Sequence, residues 1–117
     1  MDSQLAKVVA PERSALLVID VQNDFIHSQG EMARSGKDVA FSQRMVPTLV
    51  VFISAARVLH IPIIYTQATH SIWTDTPNWR SRHKGRRDTD HFCRPNTWGW
   101  EFYMVAPCAD ELVVMKP

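Results

Sequence analysis

The chain has 117 residues, which leaves room for one hydrophobic core and not two. With 45% hydrophobic and 21% charged residues it falls in the ordinary globular range, which excludes disordered, collagen-like and low-complexity classes. Thirteen Lys and Arg against twelve Asp and Glu give a net charge of +1, without the basic excess of a nucleic-acid binder.

Residues 1–13 are polar, contain Pro11 and read as an N-terminal arm. Ser14–Val21, SALLVIDV, is a short, mostly branched apolar run without alternation, the pattern of a strand buried on both faces of a parallel sheet. Residues 22–38 hold Asn23, Asp24, Gly30, Ser35 and Gly36 and read as a turn-rich connection. From Val39 to His60, Leu49, Phe52, Ile53, Ala56 and Leu59 recur at spacings of three and four, predicting a helix with that face buried. Pro47 is expected near its first turn, or else as a kink.

A second apolar run, Ile61–Thr66, follows the helix, so strand, helix and strand form a βαβ unit with a right-handed crossover. A third run, Glu111–Met115, comes late in the chain. Between them, residues 67–100 contain all four tryptophans and show no clean period. A structureless loop of that length is improbable in a compact domain, so short helices, a lid or an interface are expected there. Three strands and one helix leave sheet edges and a sheet face to cover, so residues 1–117 read as the amino-terminal part of a larger single α/β domain.

Cys93 and Cys108 are too few for a disulfide scaffold, and no signal segment precedes the first strand, so a reduced, cytoplasmic protein is expected. The most apolar stretch, within residues 45–59, is broken by Pro47, Thr48, Ser54 and Arg57 and falls short of the roughly 20 residues of a membrane span. No membrane insertion is expected.

Ligands of open parallel sheets bind beyond the carboxyl ends of the strands. Asp20 and Lys116 both stand at such ends. They form a candidate acid–cation pair, or else Asp20 caps a turn and Lys116 ends a strand in solvent.

The segments LLVIDVQNDF (16–25), AARVLHIPIIYTQ (55–67), TWGWEFY (97–103) and DELVVMKP (110–117) resemble, in order, the isochorismatase-like cysteine hydrolases. That family includes nicotinamidases, N-carbamoylsarcosine amidohydrolase, and biuret and ureidoacrylate amidohydrolases. The resemblance implies a Rossmann-like three-layer α/β/α sandwich with a mainly parallel sheet and a Cys-Asp-Lys triad. Asp20 then matches the proton acceptor and Lys116 the lysine that holds it and stabilises developing negative charge. Phe25 matches an aromatic lining the substrate pocket. Gln22 would orient a substrate carbonyl or tie down the loop.

The family nucleophile lies beyond the lysine, so a cysteine past residue 117 is expected. Cys93, two residues from His91, matches no family motif, and neither does Cys108, which reads as a partly buried spacer. The stretch TQATHSIWTD does not reproduce the metal motif of the nicotinamidases, so no metal and no cofactor are expected. His70 is a candidate hydrogen-bond partner for substrate.

The run RSRHKGRR, residues 80–87, is followed by Asp88 and Asp90 and reads as a solvated loop face, from which one arginine could reach a pocket to hold a carboxylate. TWGWEFY and the Lys-Pro pair are most similar to the ureide branch. The expected activity is hydrolysis of a C–N bond in a small linear amide or ureide by a homo-oligomer, dimer or tetramer. Two alternatives stay open: an isochorismatase-type vinyl ether hydrolase without cysteine, and a truncated, inactive chain.

Overall fold

The computed structural model describes residues 2–83 and 91–117. The N-terminal arm is not featureless: it carries a short exposed helix, α1 (Ser3–Val8), whose first turn is capped by the Asp2 carboxylate accepting from the Gln4 and Leu5 amides. A 3-10 turn at Pro11–Arg13 then leads into strand β1 (Leu16–Ile19).

The turn-rich connection contains two single-turn helices, α2 (Asn23–Ile26) and α3 (Glu31–Arg34), folded closely on one another. Gly30 stands where they meet. Its backbone angles are ordinary, but a Cβ there would overlap the Asn23 carbonyl oxygen.

Helix α4 (Ala40–Val58) crosses to strand β2 (Ile63–Ala68). Its end is a Schellman motif, with the His60 amide donating to the Arg57 carbonyl and the Ile61 amide to the Ala56 carbonyl. His60 occupies the left-handed position at φ 55°, where glycine is usual, and Pro62 prevents continuation. Pro47 lies inside the helix, beyond its first turn, with the ring facing outward.

The expected buried face of α4 is only partly right. Val46, Ile53 and Ala56 are buried and Leu49 half-buried, but Phe52 and Leu59 are exposed. The helix rests on one narrow sheet, and only a thin stripe of it finds a partner among the described residues.

The segment after β2 carries α5 (Pro77–His83) and a 3-10 turn at Trp98–Trp100 before strand β3 (Leu112–Lys116). The three strands are all parallel in the order β1-β2-β3, pairing Val18 with Tyr65 and Tyr65 with Val113. The α/β class and the parallel sheet therefore agree with the sequence reading.

Expected burial of β1 on both faces is not observed in the described residues. Val18 and Tyr65 lie under α4 in a core with Val46, Ile53, Ala56 and Ile63. On the opposite face Leu17 is 51% and Ile19 58% exposed, and all five residues of β3 are exposed. One helical layer is present here, on one side of the sheet. No described helix is long and apolar enough to cross a membrane.

Candidate active site

Asp20 follows the last residue of β1, and Lys116 is the last residue of β3. β2 separates the two strands, so the side chains meet across its carboxyl end, with Lys116 Nζ 2.6 Å from Asp20 Oδ2. The other carboxylate oxygen accepts from the Thr66 hydroxyl at 2.7 Å. Asp20 sits at φ 54°, a left-handed conformation that costs an L-residue about 1–2 kcal/mol. Strain at such a position persists only where the surroundings enforce it. Here the Asp20 amide donates to the Thr66 carbonyl and the carboxylate is held from two sides.

The pair is not sealed in. Asp20 keeps 18% and Lys116 47% of its side-chain exposure. Beside them a cavity of about 430 Å³ is lined by Asp20, Phe25, Met32, Lys37, Ser42 and Met45. Phe25 is half-buried, packing edge-on against Phe92 with ring centroids 5.2 Å apart. The structure thus brings Asp20, Lys116 and Phe25 together.

Gln22 takes the other of its two readings. It is fully buried: its Nε2 donates to the carbonyls of Ala68 and Trp100, and its Oε1 accepts from the Ala68 amide. The amide is consumed by backbone, tying the loop after Asp20 to the end of β2. The TWGWEFY segment completes that clamp, with the Asn23 amide donating to the Glu101 carbonyl and the Tyr103 amide to the Val21 carbonyl.

His70 lies just past β2, its Nδ1 2.8 Å from Asp75 Oδ1 and its ring stacked on Trp79 at 4.2 Å. Asp75 Oδ2 is paired with Arg94 at 3.1 Å. Cys93 is wholly buried at φ 48°, its amide donating to Asp24 Oδ2 at 2.8 Å. Cys108 is exposed, not the partly buried spacer expected. Its backbone is held by the amide donating to Glu111, which leaves the side chain on the surface.

Of the basic run, Arg80 and Arg82 lie exposed on α5, while residues 84–87 with Asp88 and Asp90 fall outside the described residues. Among the described residues no three His, Cys, Asp or Glu side chains gather as a metal site.

Sequence reasoning missed Thr66, Asp24, Gln67 and Asp75. Thr66 was legible as the residue opposite Ile19 once the two parallel strands are placed in register. Asp24 accepts from the Glu31 and Cys93 amides, a role that depends on loops far apart in sequence.

A parallel α/β sheet with an acid–lysine pair across its strand ends marks a Rossmann-like domain. The chain belongs to the isochorismatase family, matching the isochorismatase domain over residues 14–117. It is 27% identical over 124 residues to the ureidoacrylate amidohydrolase RutB of Serratia proteamaculans, covering 92% of this chain and 49% of that protein. Its fold is similar to that of a cysteine hydrolase from Pseudomonas syringae (TM-score 0.74, 23% identity, 91% of this chain and 47% of the other). It is also similar to N-carbamoylsarcosine amidase from Thermoplasma acidophilum (TM-score 0.59, 25% identity, 88% and 51%). The chain spans about half the length of the curated relatives it matches.

Proposed function

We propose that this chain is part of a cysteine-dependent amidohydrolase that cleaves a C–N bond in a small linear amide or ureide of the ureidoacrylate or biuret type. The observation that carries the reading is the Asp20–Lys116 contact of 2.6 Å at the open ends of the strands, in a chain whose curated relatives are named ureidoacrylate amidohydrolases. In this reading the nucleophile is a cysteine supplied from outside residues 1–117, since the Cys93 side chain is fully buried and Cys108 lies before the amino end of β3, away from Asp20 and Lys116.

Asp20 takes the thiol proton, and the thiolate attacks the carbonyl carbon. The C–N bond breaks, the amine leaves with a proton returned by Asp20, and water hydrolyses the thioester. Lys116 fixes one carboxylate oxygen and Thr66 the other, so Asp20 is oriented before substrate arrives. Phe25 supplies an apolar wall, and His70 a hydrogen-bonding group at the end of β2. Gln22 serves the site by holding the loop.

In this reading the reaction needs neither a metal nor an organic cofactor. A homo-oligomer belongs to the same reading, supported by Ile72 at 69% and Trp73 at 92% exposure in the Trp-rich segment. We place the protein in the cytoplasm.

The test is hydrolysis by the full-length protein of ureidoacrylate, biuret, nicotinamide and isochorismate, with and without EDTA. Turnover of a ureide that survives chelation is expected. Cleavage of isochorismate alone, or a chelator-sensitive rate, would overturn the assignment.

A further inference from the structure

His70, Asp75 and Arg94 form a chain of polar groups, of which the reaction described above uses only the His70 ring. The imidazole Nδ1 is 2.8 Å from Asp75 Oδ1, and Asp75 Oδ2 is 3.1 Å from Arg94. The Asp75 side chain is 1% exposed, against 14% for His70 and 17% for Arg94. Asp75 Oδ1 is hydrogen-bonded to the imidazole, while Oδ2 meets Arg94 at ion-pair distance without a hydrogen bond, so the charge is paired but one oxygen is left unbonded.

The ring itself is fixed from several sides. Its plane stacks on Trp79 with 23° between the rings, Phe92 lies 5.2 Å away, and the His70 amide donates to the Cys93 carbonyl at 3.0 Å. A carboxylate offers only acceptor oxygens, so the hydrogen-bonded nitrogen must be Nδ1–H. In the neutral ring this leaves Nε2 as a lone-pair acceptor. Nε2 makes no hydrogen bond among the described residues.

The ring also borders the strand ends. A cavity of about 170 Å³ is lined by His70, Asp75, Trp79 and Pro117, the residue after Lys116, and the Thr69 amide donates to the Lys116 carbonyl at 2.8 Å.

We propose that Asp75 and Arg94 are positioning residues that hold His70 with Nε2 as a hydrogen-bond acceptor, and that this acceptor selects substrates bearing an N–H between the scissile carbonyl and the carbon chain. The inference rests on the amide or ureide reading of the site and adds its specificity. A carbamate ester, with oxygen in place of that N–H, would turn a lone pair toward Nε2 and be rejected.

Arg94 makes the arrangement testable through Asp75→Asn. The new amide cannot turn its NH₂ toward a guanidinium, so its oxygen faces Arg94 and its NH₂ faces His70. The imidazole must then accept at Nδ1 and carry its proton on Nε2, inverting the tautomer with little change in shape.

The experiment uses full-length protein carrying Asp20→Asn, so that ligands stay intact, with ureidopropionate and carbamoyloxypropionate as probes. Proton–nitrogen NMR of the imidazole should place the proton on Nδ1, and calorimetry should give about tenfold tighter binding of the ureide, the worth of one such hydrogen bond. Adding Asp75→Asn should move the proton to Nε2 and erase the preference. His70→Phe, which keeps the stack on Trp79, should erase it as well and serves if Asp75→Asn does not fold.

A proton on Nε2 in the parent, equal binding of the two probes, or a preference that survives both variants overturns the inference while leaving the amidohydrolase reading intact. Failure of both probes to bind overturns the ureide reading and the inference together.

Discussion

Two carboxylate–cation clusters stand at opposite ends of the same sheet and are built on opposite plans. At the amino end of β3, Glu111 takes Arg57 through two hydrogen bonds of 2.7 and 2.9 Å. Arg57 also donates to the Tyr65 hydroxyl and the Ala106 carbonyl, and the Cys108 amide donates to Glu111. Planar groups meet along two bonds, and the main acceptor oxygens are engaged. At the carboxyl end, Lys116 touches Asp20 through a single 2.6 Å contact, and the carboxylate sits on a strained backbone beside an open cavity.

The saturated cluster shifts its own titration. The Arg57 hydrogen bonds hold the Glu111 carboxyl down to about 2, against an ordinary value near 4.5. The guanidinium is pushed up in return, and burial with the nearby Glu111 charge raises the Tyr65 phenol. A cavity of about 680 Å³ lies on that side, larger than the one at Asp20. In the proposed reading the chemistry lies at the smaller of these two cavities. A better guide than size is a charged pair kept partly open at a strained residue, because a group whose bonds are all taken cannot accept a proton from a substrate or thiol.

The sharpest way to break this contrast is Asp20→Asn in the full-length protein. Turnover should fall about 10²–10⁴-fold, the usual worth of a positioned general base, with an unchanged circular dichroism spectrum. Activity above a tenth of the parent would remove Asp20 from the role of base.

Next in size is Gly30→Ala, which leaves both clusters untouched but forces a methyl into the Asn23 carbonyl. We expect about 2 kcal/mol of lost stability by denaturant melt, within the range for overpacking. A melt indistinguishable from the parent would show that α2 and α3 can part without cost.

Glu111→Gln should cost about 1 kcal/mol, the upper end for an ion pair whose arginine is 36% exposed, with kcat unchanged. The folded carboxyl titrates lower than the unfolded one, so its contribution is complete above pH 4.5 and is lost as pH falls toward about 2. The parent should therefore lose more stability than the variant over that interval. Parallel acid melts of the two proteins would contradict the assignment.

The smallest effect is expected from His60→Gly, which relieves the left-handed residue at the end of α4. A gain of about 0.5 kcal/mol in thermal melts remains after the extra backbone entropy of glycine in the unfolded chain.

Much of the frame was legible before any coordinates. Branched apolar runs marked all three strands, and the three-and-four spacing marked α4, because those patterns report burial against a neighbour along the chain. The Asp20 and Lys116 positions followed from where two of those runs end. Phe52 and Leu59 misled for the same reason: periodicity says which residues share a face, not how much of it a partner covers. Gln22 could be read two ways until the carbonyls of Ala68 and Trp100 were seen to enclose it. The Asp75–Arg94 pair stayed hidden because its two residues lie far apart within the Trp-rich segment and no local pattern links them.

The parallel order β1-β2-β3 sets a condition on assembly as well as on the site. Asp20 and Lys116 are 96 positions apart, and the strand between them has to be seated before they can touch. The entropy of closing so long a loop grows only slowly with its length, but it must be met before the contact gives anything back. The left-handed turn at Asp20 is thus left without its lysine until β3 docks. A ribosome-bound chain would hold its acid through Thr66 alone until Lys116 arrives.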